Sequence, residues 1–175
     1  MFVKNIRESD EKITNQPIIY YWWFKVSVLN FLLEDNQLDY DFLKLKIKEL
    51  NSQSYALLYI GKAKKGNERL VDYHILDKGN FHKEKTVLNG RLSSLRQTLC
   101  GLLHLNMISA KQTINEFMDK NCFVEWNEVI DDDLSNCERA IIQKNYLPLN
   151  CHHQTHNFDK NYRRILSSLK KQFKK

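Results

Sequence analysis

The sequence predicts an α+β domain, and three observations carry that expectation. Ile18-Ile19-Tyr20-Tyr21-Trp22-Trp23-Phe24, Tyr55-Ala56-Leu57-Leu58-Tyr59-Ile60 and Cys122 to Val129 read as strands, from their aromatic and β-branched content or their alternation. Leu92, Leu95, Leu99, Leu102 and Leu103, among others, recur at helical spacing. At 175 residues, with 42% hydrophobic and 27% charged side chains, the chain suits one compact domain, residues 1–175, with room for a core.

Taken in order, residues 1–16 read as a polar lead-in, and Pro17 introduces the first strand, which is expected to continue through Val26 to Leu33. Leu38, Phe42, Leu45 and Leu50 then follow at roughly helical spacing, with lysines on the other faces. Residues 34–52 are therefore read as a helical insertion between the first two strands. The second strand is broken by Gly61, a basic loop follows, and Gly66-Asn67 gives a turn. From Glu68 the pattern is helical, so Arg69 and Tyr73, four apart, share one face. Asp77 to Asn89 reads as a surface loop carrying His82, Lys83 and Lys85. Ser93 and Ser94 stand near the start of the next helix, and Ser109 is the expected cap of the one after it, with Ile114, Phe117 and Met118 facing inward. After the third strand, Asp131-Asp132-Asp133 favours a helix start, and Cys137, Ile141 and Ile142 mark an apolar face with Glu138 beside it. From Lys160 to the end there are seven Lys or Arg and no acid. Tyr162, Ile165, Leu166, Leu169 and Phe173 form the apolar stripe of a basic helix over 159–173, capped by Asp159.

A net charge of +6 and a pI near 9.1 point to a polyanionic partner, nucleic acid first. The four cysteines form no CxxC pair, which suits reduced thiols. Residues 1–16 do not resemble a signal peptide, and Lys25, Ser27 and Asn30 interrupt the most apolar stretch. A cytoplasmic protein that enters no membrane is expected. Cys151-His152-His153 lacks the paired spacing of a structural zinc site, so His153 is placed instead at the border of a site or on a phosphate.

A tyrosine on a strand, a lysine just past its end and an Arg/Tyr pair on the next helix converge where a phosphate would sit. Tyr59-Ile60-Gly61-Lys62-Ala63-Lys64 followed by Arg69-Leu70-Val71-Asp72-Tyr73 resembles the second half of the GIY-YIG nuclease motif, as in the nuclease domain of excinuclease C and in stand-alone endonucleases. Pro17-Ile18-Ile19-Tyr20 resembles the first half, with isoleucine in place of glycine, and Glu138-Arg139-Ala140-Ile141-Ile142 and Pro148-Leu149-Asn150 resemble its later landmarks. The matching core spans about 17–150.

The resemblance implies a small, mostly antiparallel, three-stranded sheet flanked by helices, and a metal-dependent DNA endonuclease of restriction or repair type. It implies catalytic roles for Tyr20, Tyr59, Lys62, Arg69, Tyr73, His74, Glu138 and Asn150, with Tyr20 activating water and Glu138 holding Mg²⁺, for which Mn²⁺ can substitute. A free tyrosine has a pKa near ~10, so Tyr20 needs help, expected from Lys62 and the metal. Helical spacing from Arg69 favours Tyr73 over His74 at the phosphate. Lys64, Lys65, Arg91, Arg96, His153, Arg163 and Arg164 are the expected contacts to duplex or branched DNA, and a homodimer would suit double-strand cutting. Two alternatives stay open: a decayed domain that only binds nucleic acid, and a membrane-surface or scaffold protein acting through the C-terminal helix.

Overall fold

The computed structural model describes residues 1–9, 12–78, 93–130 and 133–174. Its centre is β1 (Ile18–Lys25), whose partners lie on both sides: β3 (Gln53–Ala63) and β4 (Cys122–Glu128), both antiparallel. This central position explains why β1 reads as a nearly unbroken apolar run, because both of its faces are covered. Ile18, Tyr20, Trp22 and Phe24 enter the larger core, with Leu70, Ile75, Leu95, Leu99 and Met118. Ile19 and Trp23 enter a second core with Leu57, Ile60, Phe123, Leu134 and Ile142.

The sheet has four strands, in the order β2-β3-β1-β4, rather than the three expected. The extra strand, β2 (Ile47–Leu50), lies inside the segment read as a helical insertion, where only short 3₁₀ turns occur (Glu34–Asn36 and Phe42–Lys44). Two residues decide this. Asn51 and Ser52 both take positive φ, 50° and 58°, and close a two-residue hairpin between Leu50 and Gln53, a geometry whose twist matches paired strands. The apolar spacing that mimicked a helix is divided between turns and an edge strand. β1 also stops at Lys25, earlier than expected, and gives way to a 3₁₀ turn (Val26–Val28) and the short α2 (Leu29–Leu32). Asn36 holds that end: its Nδ2 donates to the carbonyls of Leu32 and Leu102.

The polar lead-in contains α1 (Val3–Glu8), with Val3 and Ile6 buried and Arg7 ion-paired to Asp119 at 2.9 Å. After β3 comes a π-helix (Asn67–Ile75), then α3 (Ser94–Leu102), α4 (Lys111–Asn121), β4, α5 (Leu134–Lys144), a 3₁₀ segment (Pro148–His153) and α6 (Lys160–Gln172). Ser93 caps α3 and Asp159 caps α6 through their side chains, whereas Ser109 gives way to Ala110 at the start of α4. α6 packs on α3 where Gly101 faces the Leu169–Lys170 backbone. A methyl group there would lie 3.0 Å from the carbonyl carbon of Leu169, so glycine permits the close approach. Tyr162 and Leu166 of α6 are buried, Tyr162 against Phe158 and the Pro148 carbonyl, so the apolar stripe is used inside the fold. No helix of the described residues is long and apolar enough to cross a membrane.

Candidate active site

The register of β3 against β1 shifts between Trp22 and Trp23: Trp22 faces Tyr59, Trp23 faces Leu57, and Leu58 is the extra residue. Such a bulge breaks the alternation of side chains. Leu58 is in the larger core and Tyr59 packs against that same core, while Leu57 and Ile60 belong to the opposite face. The bulge therefore re-aims Tyr59 to the side on which Tyr20 lies. Gly61, which pairs with Tyr20 across the strands, is bare for a steric reason: a Cβ there would sit 2.5 Å from the Tyr20 Cζ and Oη atoms.

Tyr20 is buried, 1% exposed, and its hydroxyl is 2.7 Å from His74 Nε2. The other ring nitrogen of His74 is hydrogen-bonded to the Ser93 hydroxyl, and Ser93 Oγ accepts the Arg96 backbone N–H. Burial pushes the Tyr20 phenol well above its ordinary range. Nearby Tyr59 adds to that push, while the Arg69 guanidinium opposes it. Burial, and then the charges of Arg69 and Arg96, hold His74 well below the usual histidine range, so its imidazole is neutral at pH 7. The Tyr59 hydroxyl lies 2.9 Å from Ser94 Oγ. Successive serines at the start of α3 thus reach both site tyrosines' surroundings.

The π-helix resolves the choice between Tyr73 and His74 by giving each a place. The expected α-helical spacing put only Tyr73 beside Arg69, whereas an i→i+5 ladder also brings His74 over that turn. Tyr73 stacks under the Arg69 guanidinium, 4.4 Å from ring centre to Cζ, and His74 stands behind Tyr20. Arg69 and Tyr73 line an open cavity of about 860 Å³, together with Lys62, Lys64, Lys65 and Ser135.

Lys62 reaches the cavity on its α5 side. Its Nζ is 2.9 Å from Glu138 Oε2 and 3.0 Å from Ser135 Oγ, both on α5. The groups acting on Tyr20 are thus His74 and Arg69, in place of the expected Lys62. Asn150 touches no cavity group. It accepts from the Ile60 N–H at 2.8 Å and donates to the Ile60 carbonyl at 2.9 Å. Beyond the reach of β2, its amide stands in for a missing strand at the edge of β3.

Of the expected DNA contacts, Lys64 and Lys65 reach the cavity, Lys65 with an ion pair to Glu68. Arg163 and Arg164 sit on the first turns of α6, bonded to Asp159 and Asn161, and His153 is exposed on the 3₁₀ segment. Arg91 lies outside the described residues. Arg96 is a correction. Its side chain is 2% exposed, and its guanidinium donates to the carbonyls of His74 and Ile75 and to Asn115, so it is held inside the fold, away from a phosphate at the surface. Burial lowers its pKa to about 10, with Asp77 opposing, so it stays charged at neutral pH and ties the end of the π-helix to α3.

A model of the GIY-YIG catalytic domain matches residues 18–172, nearly the whole chain. The chain belongs to the GIY-YIG family. Neither the curated proteins nor the solved structures give a match. Membership makes this an endonuclease domain acting on DNA, of a family that generally depends on divalent cations.

Among the described residues no cluster of three or more His, Cys, Asp or Glu surrounds a point. Glu138 is one half-buried carboxylate, its side chain 22% exposed. One hard carboxylate, with water and phosphate oxygens completing the shell, is the pattern that suits Mg²⁺, so the residues fit that ion.

Proposed function

We propose that the protein is a Mg²⁺-dependent DNA endonuclease working at the cavity between β3, the π-helix and α5, with Mn²⁺ able to substitute. One juxtaposition supports this reading: Arg69 lines the cavity and its charge acts on Tyr20, buried behind it, so a phosphate-holding group and a candidate base are neighbours. Arg69, permanently charged, forks onto phosphate oxygens while Tyr73 fixes it from beneath. Tyr20 is the base for the attacking water. Burial keeps its phenol protonated in the free protein, and Arg69, with the cation when bound, would offset that burial so that the phenol loses its proton and the oxygen can take one from water. The hydroxide attacks phosphorus, and the bond from phosphorus to the leaving oxygen breaks. Tyr59 supports this shell from the same face, and Lys62 balances the charge of Glu138. Glu138 would hold the cation, which supplies charge stabilisation at the phosphate and the leaving oxygen. Asn150 is a positioning residue, since it acts through the Ile60 backbone.

Ile18 supports an active enzyme over a decayed one. It occupies regular strand backbone, paired with Ala63 and Glu128, and its side chain packs beside Gly66, so the missing glycine costs the site nothing. The four free thiols suit a cytoplasmic enzyme. Lys64 and Lys65, with Arg163, Arg164 and His153 farther out, would carry duplex or branched DNA in a restriction or repair role, and a homodimer would allow both strands to be cut.

Supercoiled plasmid incubated with Mg²⁺ or with EDTA tests the reading. Nicking or linearisation is expected only with metal, and Glu138→Ala and Arg69→Ala should each lose at least about 10²-fold in rate, with DNA binding kept by Glu138→Ala. Cleavage retained by Glu138→Ala would overturn the metal assignment.

A further inference from the structure

The buried chain from Tyr20 through His74 to Ser93 has a direction. A neutral imidazole offers one N–H and one lone pair, so the tautomer decides whether His74 donates to Tyr20 or accepts from it. Ser93 is 1% exposed, and its oxygen already accepts the Arg96 N–H as the cap of α3. Its own hydroxyl proton, shut away from water, needs an acceptor. His74 Nδ1 is the partner in place. Had Nδ1 carried the proton instead, Ser93 would receive from two donors and its hydroxyl proton would be stranded in the core, at a cost of about 1–3 kcal/mol. At the other end the Nε2–H tautomer suits Tyr20 as tyrosinate, which has no proton of its own to place.

We propose that Ser93 is a positioning residue of the active site: it donates to His74 Nδ1, holds the imidazole as the Nε2–H tautomer, and so makes His74 a hydrogen-bond donor to the Tyr20 oxygen. The inference rests on the reading of Tyr20 as the group that activates water. The Tyr20 oxygen then receives the His74 N–H and lies within the field of Arg69, two influences that work for its anion against the burial that opposes it. His74 thereby acts as a stabiliser of the tyrosinate and takes no proton from it. The charged and titratable groups acting on the pair are Arg69 from the π-helix, Tyr59 from β3, Glu138 from α5 and Arg96 from α3.

Nitrogen-15 NMR of the full chain at pH 7 reads the tautomer without reference to cleavage. The wild type and Ser93→Thr should both show a protonated His74 Nε2 and an unprotonated Nδ1. Ser93→Asp keeps a good helix cap but offers only an acceptor, so its proton should move to Nδ1. In the plasmid assay, Ser93→Asp and Ser93→Ala should lose at least about tenfold in kcat, with KM little changed, while Ser93→Thr restores the rate. The acid limb of kcat should also move to higher pH in Ser93→Ala, which a cap alone would not do. A wild-type protein protonated at Nδ1, or a Ser93→Asp enzyme with unchanged kcat, would overturn the proposal. A protein with the expected tautomer and no cleavage on any substrate would overturn the functional reading and leave the tautomer assignment standing.

Discussion

Replacing Gly61 by alanine isolates one contact on which the site geometry depends. The added methyl would meet Tyr20 Cζ and Oη at 2.5 Å and Cε2 at 2.7 Å, whereas ordinary contacts to a Cβ begin at 3.4 Å. Tyr20 must therefore retreat by roughly 1 Å in a core packed too densely to yield freely. Overpacking of this kind costs about 1–3 kcal/mol. For a chain of this length that lowers the melting temperature by about 2–12 °C. The same shift lengthens the 2.7 Å bond to His74, and a misplacement of ~1 Å in a catalytic group costs about 10²-fold in rate. Plasmid nicking under single-turnover conditions, with scanning calorimetry on the same samples, would measure both. In a Tyr20→Phe background one of the two closest atoms is gone, so the stability penalty of Gly61→Ala should shrink. Strictly additive penalties, or a Gly61→Ala enzyme as fast as the wild type, would refute the reasoning.

Three further outcomes follow from the same structure. Asn150→Asp should destabilise the fold by about 1–3 kcal/mol, because a carboxylate oxygen would face the Ile60 carbonyl where the amide donates; urea titration measures it. Arg96→Met should cost about 3–5 kcal/mol, the usual penalty for breaking a buried charge network, without changing the salt dependence of DNA binding, since Arg96 reaches no surface; a reduced salt slope would return it to the interface. His74 is held well below its ordinary range, so below pH ~6.5 the unfolded chain takes a proton that the folded His74 refuses. Stability should fall as pH drops from ~6.5, by up to about 1.4 kcal/mol per pH unit, and His74→Gln should flatten this part of the curve of urea midpoint against pH.

The parts of the site visible in the sequence were those whose chemistry is carried by residue type and short spacing. Tyr20 in an aromatic strand, Tyr59-Ile60-Gly61-Lys62 ending another, and Arg69 with Tyr73 fall into this class. What the spacing hid has physical reasons. The π-helix changes which residues stack, so rules built on 3.6 residues per turn assigned His74 poorly. Arg96 stands on an amphipathic helix where a charge is usually solvated, and its burial is made tolerable by partners distant in sequence, the carbonyls of His74 and Ile75 with Asn115 and Asp77. The extra strand β2 had a local signal, the short alternation from Leu45 to Lys48 followed by Asn51-Ser52, but four apolar residues at helical spacing masked it. The partnership of Ser93 with His74 joins two segments through tertiary packing, and no local pattern announces it.

The clamp of Asn150 on Ile60 joins residues 90 positions apart. Synthesis runs from the amino end, so Tyr20, Tyr59 and Arg69 leave the ribosome well before the amide that completes their strand edge. At about 5–20 residues per second, that interval is on the order of ten seconds. During it the chain already carries its phosphate-binding arginine, but the strand bearing its signature has an unsealed border. In a chain assembled in this order, that edge of β3 stays open until the last quarter arrives.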